Sequence, residues 1–536
     1  MTLHDKPTSP EDSERDSTPT TQDPMTLQKA DLERLGRQRP ETFKTAFSEI
    51  MFCTSMLVSM LMSEYFVSGF NILLPTVSKE LEIPLGAQIW PASVFTLILG
   101  ALLLPLGRVA DIYGGFVVFT LGLAWFVVWT LIAGFSVNYE MLIAARALQG
   151  LGPAAFLPTG IMIMGKIYRP GPRKNLIFSL YGAFSPLGFF FGVIIGGISG
   201  EYLSWRWYFW LAAIVTSLCA AAAFFSIPRG GLSTPGVKMD WWGVFTTVPA
   251  LILIVFAVTD GAHAPNGWGT NYVIGTFVAG ILLLIVAIIV EGSVAEQPLL
   301  PKSLFHPKYF KTILIGLTFG YGNFGIFMYY ASFYGFDLSR TLTLLVANVK
   351  RHSMAVGGII LATVGGLTLH LLPGRVLLII AGAGSIVSVL MFALIPEGGS
   401  YWAWVLPAMI GATIGVDIIF NVSNVFITTN VPHKDQGAAG SLIYSILFLP
   451  ISLFLGISDV VAASYEYRGT MVSYKAAFWF STGCAAASMV LFCFVNTGKA
   501  ESQLRVEERE ALAENLGQED SAVLTRGARP DGDRAA

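Results

Sequence analysis

Charge is what this chain has least of: only 13% of its 536 residues are Asp, Glu, Lys or Arg, about half the share usual in soluble domains. A water-soluble globule of this size is thereby excluded, and with 54% hydrophobic residues most of the chain must lie in lipid. Basic residues are also few. Lys plus Arg number 33 against 35 Asp plus Glu, which leaves no basic stripe of the kind nucleic-acid binding requires. Cysteines number four, at 53, 219, 484 and 493, all inside apolar segments and without the short paired spacings of zinc sites or disulfide frameworks. The six histidines, at 4, 263, 306, 352, 370 and 433, are never closely spaced, so a metal centre or a multi-pass enzyme with clustered acid-base groups is not expected. A Gly-rich phosphate loop of the Walker type is missing, which argues against ATP-driven work. No cofactor is implied. The first 45 residues are polar rather than basic-then-apolar, so no cleaved signal peptide is expected and the first membrane helix directs insertion.

What the chain has instead is long apolar runs. Crossing about 30 Å of hydrocarbon takes about 20 helical residues whose backbone polar groups are satisfied within the helix. Such runs lie near 51–75, 88–107, 116–135, 141–165, 176–199, 207–227, 242–259, 272–291, 312–334, 353–372, 376–396, 402–429, 437–459 and 476–496. They predict an all-α integral membrane protein with about fourteen spans. The tenth is the least sharply bounded, because Lys350, Arg351 and His352 interrupt its apolar stretch. Polar tails at 1–46 and 498–536 flank the bundle and lack the apolar content to fold alone.

Lys and Arg concentrate in short cytoplasmic loops. With the N-terminus inside, the inner loops collect Lys44, Arg108, Lys166, Arg169, Arg173, Lys174, Arg229, Lys238, Lys302, Lys308, Lys311, Arg375 and Lys434, against fewer outside at Lys79, Arg206, Arg340, Lys350, Arg351, Arg468 and Lys475. The run from Arg340 to Arg351 opposes that orientation. An even helix count then puts both termini in the cytoplasm, and the plasma membrane is the expected location.

Ionisable groups at membrane depth are expensive and mark polar cavities, ion paths or buried pairs. Glu64 sits midway along the first span, followed by Ser68 and Asn71 on the same helix face, and Asp417, Asn421 and Asn424 repeat the device near 402–429. Two readings fit: opposite walls of a central cavity, or polar groups that bind helices together. Asn421 also begins an N-x-S triplet, but inside a span it cannot be glycosylated. Arg146 and Gln149 occupy one face of the fourth span. If Arg146 points inward it needs a carboxylate or carbonyl partner, Glu64 being one candidate; otherwise it snorkels toward the headgroups. Gly188, Gly192 and Gly196, at four-residue spacing, with Gly197, make a face for close helix contact. Phe66, Phe70, Phe184, Phe324, Tyr329 and Tyr330 are candidate aromatic lining, or equally packing and lipid-facing residues.

Four of these stretches, in this order, resemble the major facilitator superfamily. G-R-V-A-D-I-Y-G, with Gly107, Asp111 and Gly114, is similar to its signature after the second helix. R-A-L-Q-G-L-G from Arg146 resembles its fourth-helix motif, and the Gly188 to Gly197 run its fifth-helix antiporter motif. Trp205, Arg206 and Trp207 open the sixth span as in fourteen-helix drug:proton antiporters. The resemblance implies two six-helix bundles at 47–230 and 310–497, two inserted helices within 231–309, and alternating access around a midplane cavity. It also implies secondary transport, most simply proton-coupled efflux of an organic compound such as a drug or secondary metabolite, by a monomer. A proton-coupled or facilitative importer of a small solute is the alternative, and a receptor or enzyme a remote third. Glu64 or Asp417 would carry the proton near Arg146, with Asn71, Gln149, Asn421 and Asn424 lining the cavity and Gly107, Asp111 and Gly114 at the gate.

There are departures. Ile112, Gly115 and Phe116 stand where the signature continues with basic residues, and Val193 where the antiporter motif has Pro. Phe66, nine residues before Pro75 in the N-I-L-L-P context that starts at Asn71, occupies the position of the first-helix Asp of many members. Glu64 is the substitute candidate, and the missing Asp looks most like the fungal branch of aminotriazole-resistance-type and secondary-metabolite exporters.

Overall fold

The computed structural model describes residues 38–168, 172–230, 233, 236–339, 372–396, 399–430 and 436–495. Thirteen helices in this range are long and apolar enough to cross a membrane. In chain order they are α1 (Ala46–Glu80), α2 (Trp90–Tyr113), α3 (Gly115–Gly134), α4 (Tyr139–Ile167), α5 (Pro172–Glu201), α6 (Arg206–Ser226) and α7 (Trp241–Asp260). They continue with α8 (Asn271–Ile289), α9 (Phe310–Ser339), α10 (Gly374–Leu394), α11 (Leu406–Asn430), α12 (Gln436–Ala463) and α13 (Thr470–Cys493). The span expected near 353–372 lies outside the described residues, as do the histidines at 4, 352, 370 and 433.

Side-chain caps start several of these helices. Thr45 Oγ1 accepts from Ser48 N at 3.2 Å, Asn138 Oδ1 from Met141 N at 2.9 Å and Asp240 Oδ1 from Gly243 N at 2.9 Å, each satisfying an otherwise unpaired first-turn amide. Inside α1, Ser55, Ser59 and Ser63 donate to the carbonyls three residues back, all at 2.7 Å, so these hydroxyls present no unsatisfied donor to their apolar surroundings. Large apolar side chains such as Leu121, Leu218, Phe225 and Ile288 remain exposed around the outside, where lipid rather than water receives them.

The first six helices pack mainly as α1 on α5, α2 on α4, α3 on α4 and α6, and α1 on α6. Helices α9 to α13 pack as α9 on α12 and α13, and α10 on α11 and α13. The two groups meet where α2 lies along α12 and α1 touches α9. Polar pairs pin that seam: Thr96 and Ser452 hydroxyls are 2.7 Å apart, Ser452 donates to Ser93 O at 2.6 Å, and Ser445 donates to Gly100 O. Helices α7 and α8 form a hairpin whose first member packs on both α2 and α12.

The glycine run on α5 is a packing device. A Cβ at Gly188 would collide with the backbone of Leu61, one at Gly192 with Tyr65 and Ser68, and one at Gly196 with the backbone of Gly69, so α5 and α1 cross at near backbone contact. Gly197 has nothing within 4 Å of its Cβ position and takes no part. Gly114, between α2 and α3, adopts φ +94°, a conformation that L side chains rarely take, and lets the chain turn within one residue.

Candidate functional site: a carboxylate pair between two helix groups

The α1 stripe divides on folding. Ser68 is fully buried and donates to Phe189 O on α5 at 2.8 Å, so it belongs to the α1–α5 contact rather than to a cavity. Glu64 and Asn71 are only partly buried. The Glu64 carboxyl stands beside the Ser185 hydroxyl of α5 and lies within electrostatic reach of Asp417 on α11. Tyr181 of α5, Tyr321 of α9 and Tyr444 of α12 stand near Glu64 as well, and Tyr321 is close to both carboxyl groups. Phe324 extends this aromatic wall, meeting Tyr321 edge-on at 6.4 Å between ring centres and Phe189 of α5 at a tilt at 5.7 Å. Asp417 Oδ2 and Tyr181 Oη are buried without a hydrogen-bond partner among the described residues. Two acids from different helix groups therefore share one site, lined by hydroxyls from both.

The amides of Asn71, Asn421 and Asn424 each donate to the carbonyl four residues back, on Val67, Asp417 and Phe420 at 2.7, 2.7 and 3.0 Å. All three remain partly accessible. Asn421 and Asn424 sit one and two turns beyond Asp417 on α11, which keeps that stripe on the face that carries the acid.

Arg146 forms a separate centre. It is 1% exposed and does not snorkel. Nε donates to Pro91 O at 3.1 Å, one terminal nitrogen to Phe66 O at 3.3 Å and the other to Gln149 Oε1 at 2.9 Å. Its guanidinium also lies over the rings of Phe70 at 4.2 Å, Phe95 at 4.4 Å and Phe66 at 5.7 Å. No carboxylate pairs with it among the described residues, so Glu64 is not its partner. Carbonyl dipoles and aromatic faces hold the charge instead, a cation–π contact being worth about 2 kcal/mol or more when desolvated. Phe66, where relatives of the resembled family carry Asp, thus contributes both a ring and a carbonyl. Gln149 is fully buried and passes the chain on to Thr130 Oγ1 at 2.8 Å, so it belongs to the arginine cluster and does not line an open cavity. Phe66 and Phe70 are also fully buried there. Tyr329 and Tyr330 lie near Asp459, toward one end of the bundle, away from the acid pair.

The loop motif is tied to neighbours on three sides. A Cβ at Gly107 would lie 3.2 Å from Ser441 Oγ of α12 and 3.3 Å from Pro158 of α4, Asp111 sits 4.0 Å from Lys166 Nζ, and Arg108 donates to Gln297 O at 3.1 Å in the linker after α8. Phe116, in a usually basic place, packs under Arg229, whose guanidinium lies 5.6 Å from its ring. At the start of α6, Arg206 pairs with Glu80 of α1 at 2.6 Å while Trp205 is buried.

Sequence reading missed several members of the site. Tyr65 and Tyr208 stack at 4.4 Å and exchange hydroxyl-to-carbonyl bonds at 2.9 and 2.5 Å, locking α1 to α6. Tyr181 and Ser185 lie one turn apart on α5, while Tyr321 and Tyr444 lie on α9 and α12, and no spacing in the sequence joins these three stretches.

Many spans, a seam between two helix groups and an acid pair at that seam define a membrane transporter. Residues 56–455 match the family model of the Major Facilitator Superfamily, and the chain belongs to that superfamily. It is 29% identical to efflux pump terJ of Aspergillus terreus over 90% of this chain and 94% of that one. It is 30% identical to the low affinity ammonium transporter of Saccharomyces cerevisiae over 80% of this chain and 85% of that protein. To the aminotriazole resistance protein of the same yeast it is 30% identical over 85% of each. The fold is shared with a solved autoinhibited peptide transporter of the POT family, at TM-score 0.61 and 14% identity over 85% of this chain and 99% of the other. The protein is a transporter and not an enzyme.

Proposed function

We infer that the protein exports a small organic compound in exchange for protons, with Glu64 and Asp417 as the groups that bind and release them. The observation that carries this is the placement of the two acids: one on α1 and one on α11, within electrostatic reach of each other and lined by tyrosines from both helix groups. Rocking one group against the other changes the surroundings of both acids at once, which is how a protonation event and an access change become one event. Asn71, Asn421 and Asn424 are the polar contacts offered to the substrate. Arg146 is a fixed, internally satisfied charge that shapes the α1, α2 and α4 junction and does not itself exchange a proton. The loop at Gly107, Asp111 and Gly114 acts as the gate at the opposite end of α2 from Trp90. Both termini lie in the cytoplasm, and the protein works as a monomer in the plasma membrane. The efflux function of terJ and the resistance conferred by the aminotriazole protein, as their names state, support export over import.

The test is retention. Cells lacking the protein, loaded with a panel of organic compounds that includes aminotriazole and methylammonium, are expected to hold more of at least one compound than cells expressing it. Lower uptake in the lacking cells would reverse the direction and favour the importer.

A further inference from the structure

The inserted α7–α8 hairpin is not a passive spacer. At the end of the bundle where α1 terminates, it touches both helix groups with three consecutive contacts. Phe256 of α7 packs on Trp90 at the start of α2, at 5.5 Å between rings. Thr259 lies against Gly456 of α12, where a Cβ would come within 3.1 Å of the Thr259 backbone. His263, in the loop just after α7, is wedged between the groups: a Cβ at Gly86, before α2, would lie 2.8 Å from its own Cβ, and its Nε2 is 2.9 Å from Asp459 Oδ2 on α12.

The pair is shielded, with side-chain exposures of 21% and 15%. At 2.9 Å the imidazole and the carboxylate are in ion-pair contact, and the carboxylate favours the protonated ring. Charge therefore does the holding, and charge on a histidine depends on pH. The groups that face it are all acidic or neutral: Asp459 from α12, Glu466 from the turn before α13, and Asp260 at the end of α7, itself held by the Tyr272 hydroxyl. Behind Asp459 stand the hydroxyls of Tyr329 and Tyr330 from α9, with Tyr474 of α13 beside them, and the loop before α2 brings Gly86 against the imidazole flank.

We propose that His263 and Asp459 form an acid-set latch through which the inserted hairpin holds the two helix groups together at this end of the transport path. The proposal rests on the alternating-access reading but not on proton-driven export. Protonated, the imidazole binds Asp459 while its flank stays against Gly86, and the groups cannot part at this end without breaking the contact. Neutral, it loses the attraction. Asp459 and its acidic neighbours raise the histidine above its ordinary value. The latch is thus fully set below the ordinary histidine range and is released as pH climbs through the raised one. In the orientation proposed above this end faces outward, so external acid would favour the outward-closed state.

Spin labels at Lys79→Cys and Tyr467→Cys, on opposite groups at this end, with the four native cysteines replaced by alanine, report the separation in purified protein without substrate or gradient. The short-distance population is expected to dominate at about pH 5.5 and to give way to longer distances by about pH 8.5, with a midpoint above the ordinary histidine value near 6.5. His263→Gln and Asp459→Asn should show the longer distances at every pH, and His263→Lys the short one. A pH-independent distribution in the parent, or a response unchanged in His263→Gln and Asp459→Asn, would overturn the latch. Because neither substrate nor gradient is present, this outcome leaves the efflux reading standing or falling by its own test.

Discussion

Glu64→Gln is expected to abolish uphill transport while leaving downhill exchange of substrate intact. One pH unit stores about 1.4 kcal/mol per proton, enough at one-for-one exchange to sustain about a tenfold substrate gradient. In sealed vesicles with a one-unit gradient imposed, the parent should approach that ratio and Glu64→Gln should fall to equality across the membrane. The glutamine keeps the size and polarity beside Ser185 but has no proton to exchange. Asp417→Asn is expected to weaken accumulation in the same direction, since its neighbour across the seam no longer senses a second charge. Accumulation by Glu64→Gln equal to the parent's would remove Glu64 from the coupling path, and a loss of downhill exchange as well would mean that the carboxyl serves substrate binding instead.

Gly192→Val is expected to have the largest effect on stability. Its Cβ would sit 2.9 Å from Tyr65 Cα and against Ser68 Oγ, so α5 must lift from α1 and the bond from Ser68 to Phe189 O is lost. Overpacking of this kind costs about 1–3 kcal/mol, and here the obstructing atoms include backbone that cannot rotate away. Gly197→Ala, five residues further on in the same motif, meets nothing within 4 Å and is expected to be near neutral. Thermal unfolding of detergent-purified protein separates the two. Equal melting temperatures for both variants would mean that α5 and α1 do not cross as closely as described.

How much of this was legible in the sequence varies with the kind of interaction. Helix number and length follow from apolar runs, because lipid imposes one length scale on every span. Ends were less legible: α1 runs from Ala46 to Glu80, well beyond 51–75, because Thr45 caps it and polar turns extend past the hydrocarbon. The Gly188, Gly192 and Gly196 face was readable since small-residue spacing along one helix is a local pattern. Arg146 was only half readable. Its shared face with Gln149 left inward burial and snorkelling both open, and its satisfaction by two carbonyls and three rings depends on α1 and α2, which no local spacing reports. Ser68 was assigned to the same stripe as Glu64 and shares its face, but one turn further along α1 it is closed off against the α5 backbone. The tyrosines around the acids and the His263–Asp459 pair join residues far apart in the chain, and only the packed bundle brings them together.

Proton movement measured directly during substrate flow bears most closely on the account. Proteoliposomes in weak buffer, given a compound identified by the retention assay on one side only, should show a pH change of opposite direction to substrate movement in the parent and none in Glu64→Gln. Substrate flow in the parent with no accompanying proton flux, or an equal flux in Glu64→Gln, would contradict proton exchange at the α1–α11 acid pair.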